Sequence, residues 1–152
     1  MTDASGLDAQ AAARIARQFG VAFEQVRRDH LISLTLAALK PLRSQLVFFG
    51  GTALARSYLP QGRMSEDIDL IAVGPRGDVA DALVRAVNRG LRATHGTLQW
   101  SRPLTEVREV DPVTVSTDDA ISVRIQLLGP VGYPPWPTAP TQVFQRYDDA
   151  RR

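Results

Sequence analysis

The stretch that decides the fold runs from Val47 to Val73 and reads VFFGGTALARSYLPQGRMSEDIDLIAV. A short, apolar, β-prone run over Gln45 to Phe49 predicts a buried strand. It ends in Gly50-Gly51-Thr52 and feeds a short helix over Thr52 to Leu59. Such a junction presents bare backbone N–H groups at a helix N-terminus, where the helix dipole favours an anion. Glycine lets a phosphate approach because no Cβ intervenes, and Thr52 adds a hydroxyl donor. A tight turn with Thr52 as N-cap would carry the same three residues.

The next strand, Ile68 to Val73, is entered through Ser65-Glu66-Asp67-Ile68-Asp69-Leu70. On a strand, alternate residues point to one side, so Asp67 and Asp69 share a face while Ile68 and Leu70 turn to the core. Two like charges held together repel, and a divalent ion such as Mg²⁺, which takes oxygen ligands, removes that cost. A solvated acidic loop is the alternative for the pair taken alone. The combination is more informative than either part. Two consecutive strands are commonly neighbours in a sheet. A triphosphate on the glycines would then lie beside a metal on the two aspartates, the arrangement that phosphoryl or nucleotidyl transfer requires.

Working outward, residues 7–19 read as a helix with Leu7, Ala11, Ile15 and Phe19 on one face. Phe23 to Leu39 reads as a second, with Phe23, Val26, Leu31, Leu34 and Leu39 apolar, ended by Pro41. GPRG at 74–77 is a turn. Asp78 is expected to cap a helix to about Thr94 with Val79, Leu83, Ala86, Val87 and Leu91 inward. Glu106 to Val115 and Ile121 to Leu128 read as strands, 129–140 as a Pro/Gly-rich connector, and Thr141 to Tyr147 as one further strand. Helices alternate with strands and then strands dominate. The expected class is α/β (α+β), a mixed sheet flanked by helices with its later strands antiparallel.

The chain has 152 residues with 44% hydrophobic and 22% charged content, consistent with one domain able to bury a core. Within 1–152 the expected parts are N-terminal helices (1–41), a catalytic core (45–128), and a connector with a possible last strand (129–152). A formal net charge of +2 excludes a bulk polycation. Lys40 is the one lysine, so the cations are otherwise arginines. GC-rich coding accounts for that bias, and so would phosphate recognition by guanidinium forks. The absence of cysteine excludes disulfides and thiolate metal sites. No apolar run reaches about 18 residues, and the polar N-terminus is unlike a secretory signal, so a cytoplasmic location and no membrane are expected.

Gly50-Gly51-Thr52-Ala53-Leu54 followed by Arg63-x-Ser65-Glu66-Asp67-Ile68-Asp69-Leu70 resembles the signature of polymerase-β-like nucleotidyltransferases. More narrowly it resembles the AbiEii toxin family, which includes the MenT toxins. The helix RRDHLISLTLAAL, 27–39, also resembles the segment that precedes the family's first strand, and the likeness runs from about residue 20 to 128. The resemblance implies a toxin of a toxin–antitoxin pair that transfers nucleotides from an NTP, with CTP favoured, and Mg²⁺ onto the 3′ end of tRNA, so blocking translation. Its partners would be tRNA and a cognate antitoxin. By the same resemblance Gly50, Gly51 and Thr52 hold the triphosphate, Asp67 and Asp69 bind metal, and Arg63 and Ser65 contact phosphate or order the loop. Pairing of Arg63 with Glu66 or Asp67 is the structural alternative.

The sequence departs from the family pattern at two places. A cation followed by an acid on the later strand is replaced by Arg124 and Gln126. Arg124 can keep a cationic, catalytic role as a fork on phosphate, whereas Gln126 cannot act as a general base. The family's C-terminal helical region, with its lysine and RDxxD run, does not follow in the 152 residues, which suggests a short form or a fragment. Two other functions stay open: a catalytically weak or inactive nucleotidyltransferase-like binding module, and an enzyme that AMPylates protein. His30 and His95 are expected to be structural or exposed, and Trp100 and Trp136 to pack. Arg85, Arg89 and Arg92 share one helix face that would suit either solvent or an RNA backbone. Asp118-Asp119 is expected to form a turn.

Overall fold

The computed structural model describes residues 6–58, 63, 64, 66–108, 110–130, 143 and 147. Its elements in chain order are α1 (Ala9–Phe19), α2 (Phe23–Ala38), a 3₁₀ turn (Lys40–Leu42), β1 (Leu46–Phe49), α3 (Gly50–Ser57), β2 (Asp67–Ala72), α4 (Arg76–His95), β3 (Gln99–Trp100), β4 (Val113–Ser116) and β5 (Ser122–Leu128). The strands form one mixed sheet in the order β1-β2-β5-β4-β3. Among the described residues β2 and β5 run parallel and every other pair is antiparallel.

Alternation along β2 and β4 sorts the sheet into two faces. Ile68, Leu70 and Ala72 are buried while Asp67, Asp69 and Ile71 are partly exposed. Val113, Val115, Val123, Ile125 and Leu127 extend the buried face across β4 and β5. α2 and α4 cover that face through Leu31, Ile32, Leu39, Val79, Leu83, Val87 and Leu91. Burying such side chains stabilises by about 1.5–3 kcal/mol each. The other face carries Asp67 and Asp69 on β2 and Arg124 and Gln126 on β5, with Ile71 and Leu128 apolar at its far end, and this places the site.

A smaller apolar cluster joins α1 to the first half of α2. Leu7, Ala12, Ile15 and Val26 pack there with Met64 and Tyr147. Asp8 starts α1 by accepting a hydrogen bond from the Ala11 amide at 2.9 Å, and Gly20 ends it in the left-handed conformation.

Several expectations need correction. β1 is half-buried along its length because it is an edge strand, paired with β2 alone among the described strands. α3 begins at Gly50, two residues earlier than expected, so both glycines fall within its bounds and Phe49 is the cap residue. Asp78 is not a cap. α4 starts at Arg76 after Pro75, and Asp78 lies in the first turn, where the dipole favours an acid. The strand expected over 106–115 begins only at Val113. Residues 104–106 and Val110 lie in turns, and Pro112 carries no N–H for a ladder. The two-residue strand β3 was not expected. Phe23, one of the apolar positions of α2, is 50% exposed. The expected strand over Thr141 to Tyr147 falls outside the described residues apart from 143 and 147, as do Ser65 and Trp136.

Candidate active site

β1 and β2 run antiparallel, so the end of β1 lies beside the start of β2, with Phe49 opposite Asp69. α3 starts at that junction, which brings its first turn against the polar face of β2. Gly50 has φ +79°, a conformation that costs non-glycine residues free energy. A Cβ at Gly50 would stand 2.6 Å from Asp69 Oδ2, so the bare Cα lets the carboxylate sit where it does. A Cβ at Gly51 would stand 3.1 Å from Arg63 Nη2. The two glycines therefore let a carboxylate and a guanidinium close in on the same helical turn.

No side chain caps α3. The first N–H groups of a helix have no intrahelical acceptor, so the amides of this turn remain donors for a ligand. The Thr52 hydroxyl is not one of those donors. It is hydrogen-bonded to the main-chain carbonyl of Asp67, and Thr52 is buried. What it does is fasten α3 to the first residue of β2. Arg63 is exposed, and among the described residues it makes no ion pair with Glu66 or Asp67. Its neighbour Met64 is buried in the α1–α2 cluster, which anchors the approach to β2.

Asp67 and Asp69 share the exposed face of β2, as alternation requires. Their surroundings differ. Arg124 lies opposite Asp67 across the parallel ladder and donates to both its oxygens, Nε to Oδ1 at 2.8 Å and Nη2 to Oδ2 at 3.0 Å. Among the described residues no donor is bonded to the Asp69 carboxylate. Its pKa is raised, first by burial and then by the charge of Asp67, with Arg124 opposing. Gln126 lies opposite Asp69 and donates its amide to the Val110 carbonyl at 2.9 Å.

The donor set suits a hard divalent ion: two carboxylates on one face, one of them with free lone pairs and its pKa raised by burial and then by its neighbour's charge. Among the described residues no third carboxylate, histidine or cysteine joins them. Asp111 is engaged by Arg108 at 3.0 Å, which holds its carboxyl below the usual range. Asp119, in the expected 118–119 turn, is held by Arg27 and Thr117.

Sequence reasoning missed the support behind α3. Arg56, one and a half turns after Gly50, is fully buried. Its Nη2 donates to Asp29 Oδ1 at 2.7 Å and to the Asp29 carbonyl at 2.9 Å, and its Nη1 to Ser33 Oγ at 2.7 Å. The Tyr147 hydroxyl donates to the other Asp29 oxygen at 2.9 Å. α2 also reaches β5, through Arg28 Nε to the Ser122 carbonyl at 3.1 Å. The signal in the sequence was the placement of Asp29 and Ser33, four apart, on the same side of α2 as Val26. A buried acid demands a cation.

His30 is buried and meets Tyr147 edge-on at 4.8 Å between ring centroids, with His95 at 6.5 Å. Trp100 packs beside the core and donates to Asn88. Arg85, Arg89 and Arg92 are exposed on α4, with Arg85 paired to Asp81.

Compared with known proteins, residues 34–150 match a family model described as nucleotidyl transferase AbiEii toxin, type IV TA system. No curated protein matches the chain. The matched span includes α3, β2 and β5, and so every residue of the face described above. No helix among the described residues is long and apolar enough to cross a membrane.

Proposed function

Since this chain belongs to the AbiEii nucleotidyl transferase toxin family, it is a nucleotidyltransferase, and we propose that it moves a nucleotidyl group from an NTP to tRNA at the face shared by β2, β5 and the first turn of α3. The observation that carries the assignment of the site is the contact of Gly50 with Asp69. It sets an uncapped helix N-terminus directly against a carboxylate pair. The 3′ end of tRNA as acceptor, CTP as favoured donor, Mg²⁺ as the ion, a cognate antitoxin and a cytoplasmic setting follow from the resemblance to MenT-type members.

In this reading the amides of Gly50, Gly51 and Thr52 bind the triphosphate, helped by the dipole of α3. Arg63, close over Gly51, neutralises phosphate charge, and Ser65 belongs to the same loop. Asp67 and Asp69 hold the divalent cation, which would supply charge neutralisation and polarise the phosphate under attack. Arg124 adds a fork for phosphate oxygens. The Thr52 hydroxyl fastens α3 to β2, and the Arg56 network fastens α3 to α2. Catalysis of this kind rests on positioning and electrostatics more than on covalent chemistry.

The binding-module reading has one specific observation in its favour. Gln126, at the position where the family pattern places an acid, is turned to the Val110 carbonyl and has no base to offer. Incubation with each of the four α-labelled NTPs, Mg²⁺, total tRNA and cell protein separates the readings. The proposal predicts metal-dependent label in tRNA, strongest with CTP and reduced about 10³-fold or more in Asp69→Asn, the loss of several kcal/mol of charge stabilisation. Label in protein would mean AMPylation. Label in neither would leave a binding module.

A further inference from the structure

The fork that Arg124 makes on Asp67 occupies both oxygens of a carboxylate that the proposed metal site needs. Asp69 is open and Asp67 is closed. No other carboxylate stands ready to replace it, since Gln126 lies opposite Asp69 and no third acid is grouped with the pair among the described residues. Either the carboxylate or the guanidinium must therefore give way for a metal to bind both aspartates. Asp67 is the less mobile partner. It is the first residue of β2, paired in the ladder with β5, and its carbonyl is held by the Thr52 hydroxyl. Arg124 has a long, flexible stem, and its side chain is 56% exposed against 38% for Asp67.

We propose that Arg124 is a gate on the metal site: it neutralises Asp67 in the free protein and passes from that carboxylate to a phosphate oxygen when metal and nucleotide arrive together. This deepens the functional reading and rests on it. The exchange leaves the guanidinium paired in both states, so little charge is stranded at any stage. An exposed ion pair of this kind is weak enough to open and strong enough to compete with a cation binding alone. The consequence is a coupled order of binding. Divalent metal binds poorly by itself, the NTP strengthens it, and by reciprocity the metal strengthens the NTP to the same degree. A free toxin would then carry little metal until a nucleotide supplies the new partner for Arg124.

The test is titration of the purified protein with Mn²⁺, followed by electron paramagnetic resonance, with and without a non-hydrolysable CTP analogue. Arg124→Gln is expected to bind Mn²⁺ alone about five-fold more tightly than the wild type, the equivalent of about 1 kcal/mol. It is also expected to gain less from the nucleotide. Removing a positive charge would help any cation, so Arg124→Lys is the decisive variant. It keeps the charge and loses the fork, and it is expected to bind Mn²⁺ alone more tightly than the wild type as well. Wild-type affinity in Arg124→Lys overturns the gate. Asp67→Asn and Asp69→Asn locate the failure. If they abolish Mn²⁺ binding while Arg124→Lys matches the wild type, the gate is wrong and the site stands. If they leave Mn²⁺ binding unchanged, the carboxylate pair is not the metal site, and both readings fall.

Discussion

Two arginine–aspartate pairs flank α3, and they do opposite work with the same chemistry. Arg56–Asp29 is wholly buried at 2.7 Å, and the acid also accepts from the Tyr147 hydroxyl. Arg124–Asp67 is bidentate but open to solvent. Taking two charges out of water costs free energy that only close geometry and further hydrogen bonds recover. Once such a pair is made, removing either partner strands the other. The exposed pair has water to fall back on, so opening it costs little. The difference teaches how a small fold can hold a helix rigidly while keeping its ligands exchangeable: the lock is dry and the gate is wet.

The widest separation between the pairs is expected in stability. Arg56→Met should destabilise the protein by about 3–5 kcal/mol, because Asp29 is left buried without its cation. Arg124→Gln should cost less than about 1 kcal/mol. Chemical denaturation of the two variants side by side measures both. Equal losses would mean that burial does not divide the two pairs as described.

A smaller effect sharpens the exposed side. The pKa of Asp69 is raised in the fold by burial and by Asp67. The native state therefore binds its proton more tightly than the unfolded chain does. The stabilising contribution of that proton is complete below the ordinary carboxylate range and is lost as pH rises through the range towards the raised value. At neutral pH the ionised Asp69 is a small burden on the metal-free protein. Asp69→Asn should accordingly raise the thermal midpoint slightly at about pH 7, with the advantage vanishing in acid. A midpoint that falls in Asp69→Asn at neutral pH, without metal, would show that Asp69 is stabilised in the fold instead.

Much of this arrangement was legible in the sequence, and the division follows the range of the interactions. The face shared by Asp67 and Asp69 was readable because strand alternation is local, and β2 buries Ile68 and Leu70 as that pattern demands. The inner stripe of α4 was readable for the same reason, with Val79, Leu83, Val87 and Leu91 all buried. The Arg56–Asp29 lock was not, because it joins residues 27 positions apart and is completed by Tyr147 at 118. Polar pairs at such separations leave no period to detect. The hydroxyl of Thr52 was misassigned on similar grounds. As a sequence motif Gly-Gly-Thr offers a donor to a ligand, but the packing of α3 on β2 spends that donor on the Asp67 carbonyl. β4 began late because Pro112 interrupts the run, while the short β3 had too few residues to show an alternation.

The central claim is that the carboxylates of β2 and the uncapped turn of α3 bind one metal–triphosphate together. Calorimetric titration of a non-hydrolysable CTP analogue into the wild-type protein and Asp69→Asn, each with and without Mg²⁺, tests it most directly. The account predicts that Mg²⁺ tightens nucleotide binding to the wild type and has no such effect on Asp69→Asn. Nucleotide binding that Mg²⁺ strengthens equally in both proteins would contradict it.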